Sequence, residues 1–349
     1  MKYRLSSLLA AVAPLVLIMP PATAATYGVG VNAASGTINR PGPTNNDSGS
    51  GPAGQSRAVN SYQDETVTPG GFSSGYGWGS SQSAATAGGG AIHLLAESSA
   101  AMISTNGGAI VGTGGSSAWG SISDSFVINV PGCASAGLCG AGAHGTMTFA
   151  INVNGGIGGS GAYSTSTPGG GVGGWSGNAA WDTSGGVNAG WVPGQVQPSY
   201  VEWLRGESVS ENQAGVIHSS VTGSGAGSQL YTIEFIFGQN ITFSMLGHVY
   251  SGASVGYDFY ASQGGLGGSS ASSAFAADLS HTMGWGGIGE LRDASGQLIG
   301  EFTALSVSDS GLDYRFAAVA AVPEPGTVWA LTAGLVVLAA RARRLRRHL

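Results

Sequence analysis

The chain has 349 residues, 63 of them glycine, and only 9% are charged. Ordinary soluble domains carry about 7% glycine and about 25% charged residues, so the composition argues against a typical cytoplasmic enzyme. Between Ala25 and Ala320 stand five arginines, no lysine and seventeen carboxylates, a net charge of −12 that repels nucleic acid and anionic lipid.

At the N-terminus, Lys2 and Arg4 precede the apolar stretch Leu8 to Met19, which Pro14 interrupts. Small residues at Ala22 and Ala24 are what a signal peptidase reads, so residues 1–24 are expected to be a secretory signal and the exported body to start near Ala25. Asn32 to Asn60 is polar, rich in Gly, Pro, Ser and Asn, and nearly without large apolar side chains. It reads as a long loop or loosely held arm that cannot bury enough surface to offset its ordering entropy.

The body beyond it alternates with a period of two. Candidate strands are Ile92 to Glu97, Ser121 to Val130, Thr146 to Val153, Tyr200 to Arg205, Val216 to Val221, Ser254 to Tyr260, Gly287 to Arg292, Gln297 to Ala304 and Leu312 to Phe316. Tyr231 to Phe237 and Ile241 to Met245, separated by Gly238-Gln239-Asn240, read as an antiparallel hairpin. Ile92 to Met102 could also be a short helix. The pattern predicts an all-β protein, an antiparallel β-sandwich, jelly-roll-like, with Gly-rich loops, plus a single C-terminal membrane helix. Phe149, Ile151, Ile233, Phe235, Ile241 and Phe243 are expected to share one core.

Cys133 and Cys139 lie in a short Gly-containing loop between two of these strands, and an oxidising compartment favours a disulfide between them. A metal site would need more ligands than the neighbouring His144 supplies. Asn154 to Trp191 is a Gly-rich insert that nevertheless holds Tyr163, Trp175, Trp181 and Trp191. These rings can serve as a platform for sugar rings or as anchors that fold the insert onto the sandwich.

Enzyme signals are at the level of chance. Gly71-Phe72-Ser73-Ser74-Gly75 has the nucleophile-elbow spacing without its strand-to-helix context, and Gly169, Gly171 and Gly174 have a dinucleotide spacing inside low complexity. His93, His144, His218, His248 and His281 are scattered, while Glu202, Glu207, Glu211, Asp309 and Asp313 form no recognisable catalytic or calcium motif. No enzyme activity, cofactor or metal is expected.

The last 28 residues are the most specific. Pro323, Glu324 and Pro325 precede Gly326, the apolar run Thr327 to Ala340, and Arg341, Arg343, Arg344, Arg346 and Arg347. The prolines disfavour helix before Gly326, and arginines after an apolar run stay cytoplasmic, which places the body across the membrane. At 14 residues the run is short for an unaided span, which takes about 20, and a permanent anchor remains the competing interpretation.

This order of Pro-Glu-Pro, apolar helix and arginine cluster resembles the PEP-CTERM sorting signal of exported proteins in Gram-negative, exopolysaccharide-producing bacteria. The resemblance implies recognition by an exosortase, a membrane-embedded transpeptidase-like enzyme, with Pro323, Glu324 and Pro325 as its motif. It also implies retention through the apolar run and the arginines until both are removed. Ala277 to Phe316 is similar to the last strands of many such ectodomains. The expected protein is a non-enzymatic one at the cell surface or in an extracellular matrix with exopolysaccharide. A carbohydrate-binding module using the aromatic insert is the alternative, and a hydrolase comes third.

Overall fold

A computed structural model describes residues 25–318 except 38–40, 52, 54, 68–74, 105–109, 166–171, 193, 196, 213–214, 222–226, 259–268 and 309. Residues 1–24, with the expected signal, and the tail 319–349, with its expected helix, lie outside the described residues. Among the described residues no helix is long and apolar enough to cross a membrane.

The architecture is nearly all β. One antiparallel sheet is built from β1 (Thr26–Thr37), β2 (Pro41–Gly51), β6 (Ile110–Asn129), β8 (Val172–Gly190), β9 (Ser199–Asn212), β10 (Gly215–Val221) and β12 (Asn240–Asp258). Its order is β10-β9-β8-β12-β6-β1-β2, and the short β14 (Thr303–Ser306) pairs with the end of β6 beyond the point where β1 begins. The second sheet contains β3 (Gln55–Val67), β4 (Gly75–Gly88), β5 (Ala91–Ser104), β7 (His144–Thr165), β11 (Gly227–Ile236) and β13 (Ser269–Arg292), in the order β11-β7-β13-β5-β4-β3. A one-turn helix, α1 (Ala136–Cys139), sits between β6 and β7. The sheets stack face to face, with β4 and β5 against β6, and β13 against β12 and β8.

The space between the sheets is filled in two different ways. In one half, large side chains meet: Phe126, Phe149, Phe243, Trp285 and Tyr314 are all buried. Phe149 stacks on Trp285 with ring centroids 4.9 Å apart, and Phe126 stacks on Tyr314 at 4.5 Å. Phe149, Ile151, Ile233, Phe235, Ile241 and Phe243 belong to one buried cluster, as the alternation predicts.

In the other half the facing residues of β4 and of the first part of β6 are glycine, alanine and serine. A Cβ on Gly79 of β4 would overlap the Thr113 carbonyl of β6, one on Gly112 would overlap the Trp78 carbonyl, and one on Gly114 would lie 2.8 Å from the Ser99 carbonyl oxygen. Backbone thus meets backbone there, far closer than the usual ~10 Å spacing of packed sheets. Serine hydroxyls bridge the gap. Ser81 donates to the Ala34 carbonyl at 2.8 Å, Ser83 to that of Asn32 at 2.8 Å, and Ser116 to that of Glu97 at 2.9 Å.

Several expectations need correction. Residues 32–60 are not a loose arm but contribute to β1, β2 and β3, closing one side of the sandwich. Residues 154–191 are not a looped insert, since β7 and β8 cover most of them. In the first segment burial is confined to Ala33, Ser35 and Gly36, and in the second Ala179, Ala180 and Ala189 accompany Trp181 and Val187, so glycine and small residues dilute the alternation that marks a strand.

The expected hairpin is also split. β11 pairs with β7 in one sheet and β12 with β6 and β8 in the other, so Gly238, at φ 78°, turns the chain between sheets. The connections are not those of a jelly roll, because β3-β4-β5 and β8-β9-β10 run as simple meanders. Ile92 to Met102 is strand, while Gln297 to Ala304 becomes strand only at Thr303 and Leu312 to Phe316 forms no named strand.

Phe235 is fully buried and packs edge-on to Phe237 at 4.7 Å. Phe235→Ala should cost about 3 to 5 kcal/mol in chemical denaturation, and a loss under about 1 kcal/mol would contradict its place in the core. Gly114→Val should also destabilise, by about 1 to 3 kcal/mol or more, because overpacking forces two backbones apart. A neutral result there would refute the close approach.

Candidate functional site

The path into the C-terminal tail is organised by a buried carboxylate. Asp124 lies on the inner face of β6 between Ile122 and Phe126 and is 5% exposed. A carboxylate in such a place is costly unless its lone pairs are satisfied. The segment 306–314 does this with hydroxyls. Ser306 donates to Oδ2 at 2.9 Å, Ser310 at 3.1 Å and Tyr314 at 2.7 Å, while the Ser125 amide donates to Oδ1 at 2.7 Å. Burial, and then the Asp124 charge, push the Tyr314 phenol far above its ordinary value, so it remains a donor throughout the accessible pH range.

Beyond Tyr314 the chain stays attached. Arg315 donates from Nε to Asp313 Oδ2 at 2.9 Å and from Nη1 to the Phe302 carbonyl at 3.0 Å. The Arg315 hydrogen bond holds the Asp313 carboxyl below the usual range. The Ala318 amide then donates to the Trp285 carbonyl at 2.7 Å. Pro323 follows five residues later, a reach of at most about 18 Å in extended chain. The tail is therefore delivered from a fixed point on the body.

Residues 321–344 match the family described as PEP-CTERM protein-sorting motif. The chain carries a PEP-CTERM sorting signal. No curated protein and no solved structure matches the chain. The PEP-CTERM motif is the recognition signal of exosortase, so this is the address of an exported, exosortase-sorted protein. Pro323, Glu324, Pro325 and the arginines at 341, 343, 344, 346 and 347 lie outside the described residues, as do Ala22 and Ala24 at the N-terminal end.

Away from the PEP-CTERM tail, Cys133 and Cys139 are bonded to each other, closing a six-residue separation around α1. So short a loop gives a modest entropic gain and chiefly pins the turn, whose Leu138 carbonyl accepts from the Ala294 amide at 3.2 Å.

Of the two readings of the rings in residues 154–191, platform or anchor, the described side chains Trp175 and Trp181 are placed as anchors. Trp181 is 1% exposed and belongs to the core, and Trp175 is partly buried against Phe275 at 6.5 Å. Trp191, 61% exposed, stands alone after β8, and the Tyr163 side chain lies outside the described residues. The inward residues of β8 recur at every second position, so rings six apart share its inner face.

Sequence reasoning missed Trp119. It is exposed on β6 and pairs directly with His248, which in turn pairs with Asp182 on β8. The cue was faint, because a Gly/Ser-rich neighbourhood hid the alternation of β6. Ser73 and Asp309 lie outside the described residues, as do the His218 and His281 side chains. Glu202 and Glu207 fall on opposite faces of β9.

His248 Nδ1 stands 3.5 Å from Asp182 Oδ2, and this hydrogen bond raises its pKa above the ordinary 6.5 against a smaller opposing effect of burial. A raised histidine contributes stability fully below the unfolded value and loses it as pH climbs through the folded value. The melting-temperature difference between the native chain and Asp182→Asn should thus be largest below about pH 6.5 and shrink above the folded pKa. A difference that grows with pH would reverse the assignment. Asp124→Asn should free the segment 303–318 for proteolysis and cost about 1 to 3 kcal/mol, because the hydroxyl donors lose their shared acceptor. Unchanged protease resistance would show that the clamp is not what holds this segment.

Proposed function

We propose that this is a non-enzymatic protein exported as a precursor with a signal at 1–24. On this reading it is held in the inner membrane by 327–340 and the arginines, and carried by exosortase processing to the cell surface or the extracellular polymer. The observation that carries the reading is the PEP-CTERM match at 321–344, which follows the folded body. The physical support is consistent with it. The two prolines keep the motif extended, which suits a protease-like site, and Ala318 is bonded to the body so that only a short peptide separates fold and membrane. An acidic, lysine-free β-sandwich with an internal disulfide suits an oxidising, hydrated, polymer-rich setting.

Changing Pro323, Glu324 and Pro325 together to Ala should let the apolar helix extend back through the motif and block processing. Full-length precursor should then collect in the inner-membrane fraction, whereas the native chain yields a shortened C-terminus by mass spectrometry. Replacing the five tail arginines should instead weaken retention and orientation. If the native chain stays at full length in the inner membrane of an exosortase-bearing host, it is a plain anchored protein and the sorting reading fails.

A further inference from the structure

The outer face of the β10-to-β2 sheet carries an indole laid flat. Trp119 is 38% exposed, and it covers two glycines of β1: a Cβ on Gly28 would stand 3.2 Å from its Cζ3, and one on Gly30 would overlap its Nε1. Gly30 is its direct cross-strand partner. A side chain at either glycine would prop the ring away from the sheet, so bare backbone lets it lie flush with one face outward.

Two grooves border this ring on the same face. One, of about 470 Å³, is lined by Asn32, Asn46, Asp47 and Ser117, and the other, of about 480 Å³, by residues including Ser121 and Ser184; Trp119 is common to both. The Asn32 amide donates to Asn46, orienting the pair along the floor. Across the strands the row continues through His248 to Asp182, with Tyr250, 37% exposed, one pleat away. A flat apolar face bordered by a polar trough on one side and by a mostly apolar one, with exposed Leu246, on the other is suited to a flat ligand that runs past the ring and carries both C–H faces and hydroxyls.

We propose that this face binds a neutral, β-linked polysaccharide ribbon. Trp119 stacks on one pyranose ring, and Asn32, Asn46 and Ser117 hydrogen-bond the next. Equatorially linked pyranoses present a flat C–H face to an aromatic ring and hydroxyls at their edges. Charge narrows the class further. The basic side chains beside the site are already engaged, Arg57 with Asp47 at 3.3 Å and His248 with Asp182 at 3.5 Å, and the body has a net charge of −12, so a polyuronate or a phosphate polymer is disfavoured. A protein partner fits poorly, because the exposed apolar side chains of this face, Trp119, Leu246, Leu204 and Tyr250, are interrupted by Ser184, Ser121 and Ser117 and form no continuous apolar core. The site lies on the described body and does not depend on the tail being processed.

The test is calorimetric titration of the full-length chain, in a zwitterionic detergent without a sugar headgroup, with cellohexaose, xylohexaose, chitohexaose and hexagalacturonate. At least one neutral β-1,4 hexamer should bind saturably, and hexagalacturonate should not. Trp119→Ala should weaken that binding about tenfold or more, a loss typical of removing a central aromatic anchor. Trp119→Phe should retain part of it, Gly30→Val should lose it by displacing the ring, and Trp191→Ala should change nothing. Circular dichroism and melting confirm that each variant is folded. Failure of all three neutral hexamers to bind the native chain would overturn the proposal. So would binding that survives Trp119→Ala, or a preference for hexagalacturonate.

Discussion

The close approach of two backbones governs this fold. Where β4 meets β6, no side chain larger than a hydroxymethyl fits between the sheets, and the composition follows from that geometry. Dispersion and the hydrophobic effect gain little from such small groups, so stability in this half rests on ladder hydrogen bonds and on serines that reach across to opposing carbonyls. The other half supplies what the first lacks. Its stacked Phe149, Trp285, Phe126 and Tyr314 form the apolar mass that holds the two sheets in register with each other.

That division explains what could be read from the residues. Large apolar side chains announce a buried face every second position, and Met147 to Val153, Tyr231 to Phe237 and Ile241 to Met245 were legible for that reason. The same rule is silent where the buried face is Gly, Ala and Ser. β4 therefore gave no apolar signal, although Ser81, Ser83, Ala85 and Ala87 alternate inward on it as regularly as any isoleucine, and the described residues of β2 bury no side chain at all. Alternation also says nothing about which sheet a strand joins. The turn at Gly238 looks the same in sequence whether the chain folds back beside itself or crosses to the other layer.

The functional residues divide along a similar line. The sorting motif is contiguous, so one pass along the chain finds it, while the flat indole depends on a partner ninety residues away. Gly30 and Trp119 acquire their meaning only from strand pairing. Clustering of tryptophans along the sequence left platform and anchor both open, because the inward positions of one strand collect large side chains irrespective of binding. Asp124 was hidden for another reason. A single carboxylate in an apolar strand looks like an outward residue until hydroxyls nearly two hundred positions later are seen to surround it.

The strand order also sets a timetable. β12 and β13 occupy the middle of their sheets, separating β6 from β8 and β5 from β7, yet they are among the last strands synthesised. A chain threading outward from its N-terminus therefore emerges as incomplete layers with open seams, the one between β6 and β8 filled only when Asp258 has passed and the one between β5 and β7 only when Arg292 has. The sorting motif begins only 29 residues later. The strands that complete both sheets, and the segment that surrounds Asp124, are thus the last parts of the body to precede the sorting motif in the chain.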